Sequence, residues 1–122
     1  MTADLPRVSV ITAVHNGEDF LAEAIASILA QTWGDYEYLL VNDASTDRSP
    51  AILTHFAAGD HRLVLLDIAQ RVNQSNAINT ALKVAQGEFV AILDADDLAY
   101  PARLDRQVRY LEAHPEVGVL GA

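Results

Sequence analysis

The sequence predicts an α/β domain: a mainly parallel sheet with helices on both faces. Three observations predict it. Short β-branched or aliphatic runs alternate down the chain with stretches whose apolar residues recur every three or four positions. The polar clusters His15-Asn16, Asp43 and Asp94-Asp96 each directly follow one of the apolar runs, which in a parallel sheet places all three on the same edge. A length of 122 residues, 51% of them hydrophobic, allows one domain over 1–122 with a real core, and is too short for two ordinary domains.

Arg7 to Val14 reads as the first strand, with β-branching at Val8, Val10 and Ile11 and Pro6 just before it. It stops at the turn His15-Asn16-Gly17. From Glu18 the spacing becomes helical through Phe20, Leu21, Ala24, Ile25, Ile28 and Leu29, with Glu18, Asp19 and Glu23 near the positive N-terminal end. This helix should close around Gln31 to Gly34. Tyr36 to Asn42 is the second strand. Ser45 or Thr46 could then cap a helix from about Asp47 to Ala58, with Pro50 in its first turn and Gly59 closing it. Capping leaves Asp43 without a role.

Arg62 to Asp67 forms the third strand. Asn73, Ser75 or Asn76 opens the next helix, with Ala77, Ile78, Ala81, Leu82 and Ala85 inward and Gly87 as its stop. Phe89 to Leu93 is a short apolar run suited to a strand buried on both faces. Pro101 suits the first position of a last helix, whose Leu104, Val108 and Leu111 face inward up to His114-Pro115. Val117 to Ala122 reads as a fifth strand.

The net charge of -9 and eight scattered basic residues argue against a phosphate-neutralising nucleic-acid surface. Without cysteine there are no disulfides and no thiolate metal sites. Apolar runs such as Tyr38 to Val41 and Leu63 to Leu66 fall far short of the roughly 20 residues that cross a bilayer. The first seven residues lack the apolar centre of a signal peptide. A cytoplasmic chain is expected, with the cytoplasmic face of a membrane open to a longer protein.

The chemistry concentrates where Phe89-Val-Ala-Ile-Leu meets Asp94-Ala-Asp96-Asp97. If the backbone stays extended, Asp94 and Asp96 project to one side and Asp97 to the other. Carboxylates that close repel unless a cation lies beside them, and Mg²⁺ or Mn²⁺ fits because it takes one or two carboxylates together with phosphate oxygens and water. The other reading is a solvated turn in which Asp97 caps the helix near Pro101. The six glycines form neither Gly-x-Gly-x-x-Gly nor a Walker sequence, which sets aside dinucleotide and P-loop sites. A phospho-accepting receiver would carry its acid pair after the first strand, where this chain has Val14-His15-Asn16-Gly17. A haloacid dehalogenase-type phosphatase would carry Asp-x-Asp-x-Thr after its first strand, whereas here Leu98 takes the Thr position and the strand is the fourth.

Taken together, Val8-Ser-Val-Ile-Thr-Ala-Val-His-Asn-Gly17, Ser27-Ile-Leu-Ala-Gln-Thr32, Leu40-Val-Asn-Asp-Ala-Ser-Thr-Asp47, Ala77-Ile-Asn79, Gly87-Glu-Phe-Val-Ala-Ile-Leu-Asp-Ala-Asp-Asp97 and Pro101-Ala-Arg-Leu104 resemble the N-terminal half of family-2 glycosyltransferases. The resemblance covers nearly the whole chain in order. It implies a GT-A fold, related to Rossmann-like nucleotide-binding domains, and inverting transfer of a sugar from a nucleoside diphosphate sugar, with UDP-sugar the first choice, to an unknown saccharide, lipid or protein acceptor.

By the same resemblance, Asp43 would accept a hydrogen bond from the nucleobase, Ala13 would line the base pocket through its backbone, and Asn76 would join the nucleotide site. His15 falls where the family usually has Tyr. It would stack on or edge the base, or else is a turn histidine exposed to water. Asp94 would sit near ribose and metal, and Asp96 would bind the Mg²⁺ or Mn²⁺ that bridges the diphosphate. Two departures stand out. Gln74 occupies the expected Gly of an Asn-x-Gly segment, and the general base an inverting transfer needs is expected downstream, so no catalytic residue is assigned here. His55, His61 and His114 read as surface histidines. The expectation is therefore a truncated donor-binding half, inactive alone, with self-association through the Val117–Leu120 edge. The alternative is a non-catalytic nucleotide-sugar-binding or interaction module of the same fold.

Overall fold

The computed structural model describes residues 5–118. Its elements run β1 (Val8–Val14), α1 (Leu21–Leu29), β2 (Tyr36–Asp43), α2 (Ser49–Gly59), β3 (Leu63–Ile68), α3 (Gln74–Leu82), β4 (Phe89–Ile92) and α4 (Arg103–Ala113). The four strands form one sheet in the order β3-β2-β1-β4, and every pairing is parallel. β1 is aligned with β2 from Val8 opposite Tyr36 to Val14 opposite Asn42, so both strands release the chain at the same edge.

Alternation along the strands explains the two layers. Val8, Val10, Val14, Tyr36, Tyr38 and Leu40 face one way, against Leu21, Ala24, Ile25 and Ile28 of α1, Leu53 of α2, and Leu104 and Val108 of α4. Ile11, Leu39 and Val41 face the other way, against Ala77 and Ala81 of α3. Fully burying an Ile or Leu contributes roughly 1.5–3 kcal/mol, so the inward face of α1, where no side chain caps the N-terminus, is what holds that helix in place. The small residues of α3 let it lie close over β1 and β2, the strands it mainly contacts.

Several sequence expectations change in the folded chain. Among the described residues β4 lies at the edge of the sheet instead of being buried on both faces: Phe89 and Ala91 pack inward, while Val90 and Ile92 are 44% and 45% exposed, since α3 packs mainly over β1 and β2. Leu82, expected on the core face of α3, is exposed at the end of that helix. Ser45 and Thr46 do not cap α2. The Ser49 N–H instead donates to Asp47 Oδ1 at 2.9 Å, and Pro50 lies in the first turn as expected. Pro101 precedes α4, whose N-cap is Ala102.

Gly87 does more than stop a helix. A Cβ there would lie 2.5 Å from Ser9 N and 2.6 Å from Val8 C, so only glycine lets the chain enter β4 against β1. The expected fifth strand falls on Val117 and Gly118, which have no regular structure, and on 119–122, which lie outside the described residues. The expected self-association edge, Val117–Leu120, lies partly outside them too. Among the described residues no helix is long and apolar enough to cross a membrane.

Candidate functional site

At the carboxyl edge of the sheet the chain leaves a cleft of about 420 Å³. The β1 end contributes Ala13 to Gly17 together with Phe20, and the β2 end contributes Asp43. Arg71 and Gln74 enter from the connection into α3, and Asp94 to Asp96 from the segment after β4. Parallel register is what brings them together, because strands released at one edge deliver their following residues to one rim.

Asp43 is the unusual group of this cleft. It is 2% exposed, and its Oδ1 accepts from Val72 N–H at 2.8 Å. Among the described residues Oδ2 is buried without any hydrogen-bond partner. The Arg71 guanidinium makes a long ion pair with Oδ2, its Nε 3.9 Å away and beyond hydrogen-bond reach, and Arg71 is itself half exposed. Buried polar atoms in folded proteins are overwhelmingly satisfied, so an orphaned carboxylate oxygen in a cleft marks a place where a ligand N–H would complete the structure.

The loops around Asp43 are stitched together by side chains. His15 Nδ1–H donates to the Asp43 carbonyl at 2.7 Å, which in the neutral ring leaves Nε2 as the acceptor facing Asn16 Nδ2 at 3.4 Å. Asn16 sits at φ 52°, a left-handed conformation that Asn tolerates better than most residues. From there its Oδ1 accepts from Thr46 N–H at 2.7 Å, Asp47 N–H at 3.3 Å and Thr46 Oγ1 at 3.4 Å. Its own N–H donates to Ser45 Oγ at 3.0 Å. Gly17 N–H donates to the buried Ser49 Oγ at 3.0 Å. The Ser45-Thr46-Asp47 cluster therefore fastens the β2–α2 loop to the β1–α1 loop.

After β4 the backbone does not stay extended. Asp97 N–H donates to Asp94 O at 3.0 Å, closing a turn. Asp97 is thereby brought round to Asp94 and Asp96 instead of pointing away: one carboxylate oxygen from each lies within 4.8 Å of the others, all three residues exposed. Nor does Asp97 cap α4, whose N-cap is Ala102 with no side-chain bond. The turn is anchored at Leu93, whose N–H donates to Ile11 O at 3.0 Å and whose carbonyl accepts from Thr12 Oγ1 at 2.7 Å. With its proton committed there, Thr12 accepts from Tyr38 OH at 2.7 Å. Burial raises the Tyr38 phenol well above its ordinary value, outweighing the Thr12 hydrogen bond, and keeps it a neutral donor. Gln74 Nε2 donates to Asp94 Oδ1 at 2.9 Å. Clustered hard oxygen donors of this kind suit Mg²⁺ or Mn²⁺.

Of the residues singled out from sequence, Ala13, His15, Asp43, Asp94 and Asp96 line this cleft. Asn76 does not. It lies on the far side of the α3 N-terminus, its Nδ2 donating to Val72 O at 2.9 Å and its N–H to Asn73 Oδ1 at 3.1 Å. The backbone conformation that glycine favours is also one residue earlier than expected, at Asn73 with φ 77°, while Gln74 begins the helix. Arg71, Gln74 and Phe20 were not singled out as site residues. Arg71 carries a signal of its own, a cation in an acidic chain shortly after a strand.

Comparison with known proteins agrees with this arrangement. The family described as "Glycosyl transferase family 2" matches residues 9–122. EpsE of Bacillus subtilis, which carries a glycosyltransferase name, is 39% identical over 117 residues, covering 95% of this chain and 42% of its own length. The uncharacterized glycosyltransferase MJ1057 of Methanocaldococcus jannaschii is 34% identical over 119 residues, covering 96% of this chain and 41% of its own length. Among solved structures, the mannosyltransferase PcManGT from Pyrobaculum calidifontis, in complex with GDP-Man and Mn2+, superposes with a TM-score of 0.84 at 36% identity, over 94% of this chain and 34% of its own. TarS of S. aureus in complex with UDP-GlcNAc gives 0.84 at 27%, over 89% and 32%. The chain thus spans well under half the length of these relatives. Its parallel sheet and helical layers are the GT-A arrangement, and the chain belongs to glycosyl transferase family 2.

Proposed function

We propose that this chain is the donor-binding part of an inverting glycosyltransferase that takes a nucleoside diphosphate sugar and a divalent cation. What carries the reading is that the orphaned Oδ2 of Asp43 and the acids Asp94 and Asp96 line one cleft. Asp43 accepts a ring N–H of the nucleobase. Uracil and guanine offer such a donor at the pairing edge, whereas neutral adenine and cytosine present an acceptor nitrogen there. UDP-sugar is accordingly the donor of first choice and GDP-sugar the second. The relatives bound to UDP-GlcNAc and to GDP-Man support that pair of bases.

Oδ2 is buried in the structure with the half-exposed Arg71 guanidinium 3.9 Å away, so base binding has to uncover it, and displacement of Arg71 is the movement we propose. His15 and the Ala13 backbone form the wall beside the base. Asp94 and Asp96 would hold Mg²⁺ or Mn²⁺. When bound, such a cation supplies stabilisation of the charge that develops on the leaving diphosphate. The proton of the acceptor hydroxyl needs a base, and we place it in the length of the relatives that this chain does not span. His55, His61 and His114 lie outside the cleft.

Thermal shift with UDP, GDP, CDP and ADP, each with and without Mn²⁺, tests the proposal. The expected order is UDP and GDP above CDP and ADP, with a further increment from Mn²⁺. Equal shifts for ADP and UDP would contradict the role of Asp43. Efficient sugar transfer by these 122 residues alone would overturn the placement of the base.

A further inference from the structure

Gln74 lines the cleft from the first position of α3, and its Nε2 donates to Asp94 Oδ1 at 2.9 Å. Both ends of that bond are mounted on fixed backbone. On one side Asn73, in a left-handed conformation, caps the helix by accepting the Asn76 N–H at 3.1 Å. On the other, Leu93 is held to β1 through both its N–H, to Ile11 O, and its carbonyl, from Thr12 Oγ1, which fixes the backbone just before Asp94. The Gln74 hydrogen bond restrains rotation of the Asp94 side chain.

We infer that Gln74 is a positioning residue for Asp94: it occupies one carboxylate oxygen with a neutral amide and so presents the other to the divalent cation. This rests on the metal-assisted donor reading above. The neutrality matters chemically. An ammonium or guanidinium at this position could hold Asp94 equally well, but it would cancel the charge that attracts the cation and repel the cation itself. An amide donor orients the carboxylate and leaves its charge available. Losing a residue that orients a ligating side chain without touching the metal typically costs roughly 10- to 100-fold in metal affinity.

The test is Mn²⁺ titration of the 122-residue chain in the presence of saturating UDP, followed by water-proton relaxation, with UDP affinity measured separately in EDTA. Gln74→Met keeps the length of the side chain and removes the donor, and Gln74→Ala removes both while suiting a helix start. Each should weaken Mn²⁺ binding about 10-fold, a larger loss than any change in metal-free UDP affinity. Gln74→Lys, which restores a donor but adds charge, should weaken Mn²⁺ at least as much as Gln74→Met. A purely structural role predicts the opposite for Lys, namely rescue. Mn²⁺ affinity unchanged in Met and Ala, or restored in Lys, overturns the inference while leaving the donor site standing. Absence of any Mn²⁺ signal in the unaltered chain with UDP overturns the metal reading and the inference with it.

Discussion

His15 Nδ1 donates a 2.7 Å hydrogen bond to the main-chain carbonyl of Asp43, so the residue beyond the end of β1 holds the residue that ends β2. The bond spans two strands whose register already aligns them, and it fixes the backbone that carries the orphaned carboxylate. His15→Ala should lower UDP affinity by roughly 3- to 10-fold, the effect of losing one hydrogen bond of about 1 kcal/mol and the wall it supports. His15→Asn, which can donate to the same carbonyl, should recover part of it. Isothermal titration with UDP reads both.

Asn16 combines a strained backbone with three accepted bonds from Thr46 and Asp47. Asn16→Ala loses the bonds and sits badly at positive φ, which together should cost about 2–3 kcal/mol. Asn16→Gly loses the same bonds but relieves the backbone, and should cost less. Urea denaturation of the two variants checks the order, and an Ala variant as stable as the Gly one would remove strain from the explanation.

The two acids at opposite sides of the cleft should separate in their metal dependence. Asp96→Asn should abolish the Mn²⁺-dependent part of the UDP thermal shift and spare the part seen in EDTA. Asp43→Ala should weaken UDP binding with or without Mn²⁺, because it removes the acceptor for the base. Thermal shift under the two conditions distinguishes the roles.

Away from the cleft, Asp60 and Arg62 give the acid behaviour of the fold a local origin. The side-chain hydrogen bonds from Arg62 outweigh desolvation and hold the Asp60 carboxyl down at about 2. A folded-state value below the ordinary 3.8 contributes stability that is fully present above that value and is lost as pH falls through about 2. Asp60→Asn should therefore flatten the stability curve between about pH 4 and pH 2 and leave its slope near neutrality unchanged. The group is close to the surface, so the effect is small and shrinks with added salt. Equilibrium denaturation across that range measures it.

Much of this architecture was legible in the letters because periodicity survives folding. The two- and three-to-four-residue spacings around Val10, Ile25, Leu40 and Leu104 place strands and helices close to where they form. Parallel order then brings His15, Asp43, Asp94 and Asp96 to one rim without knowledge of any contact. What stayed hidden depends on partners distant in sequence. Val90 and Ile92 look like core residues until the position of α3 leaves them uncovered, and Ser45 and Thr46 look like caps until Asn16 takes them. The turn at Asp94 to Asp97 is invisible in a run of acids that could equally continue a strand, and the β3–α3 connection has no periodicity to separate Arg71 from Asn76.

The most direct measurement is anomalous diffraction at the manganese edge from crystals of this chain grown with UDP and Mn²⁺. The account predicts one manganese peak coordinated by Asp94 and Asp96, with the ring N–H edge of uracil against Asp43 Oδ2 and Arg71 displaced from it. A manganese peak elsewhere, or a nucleotide bound away from Asp43, would contradict it.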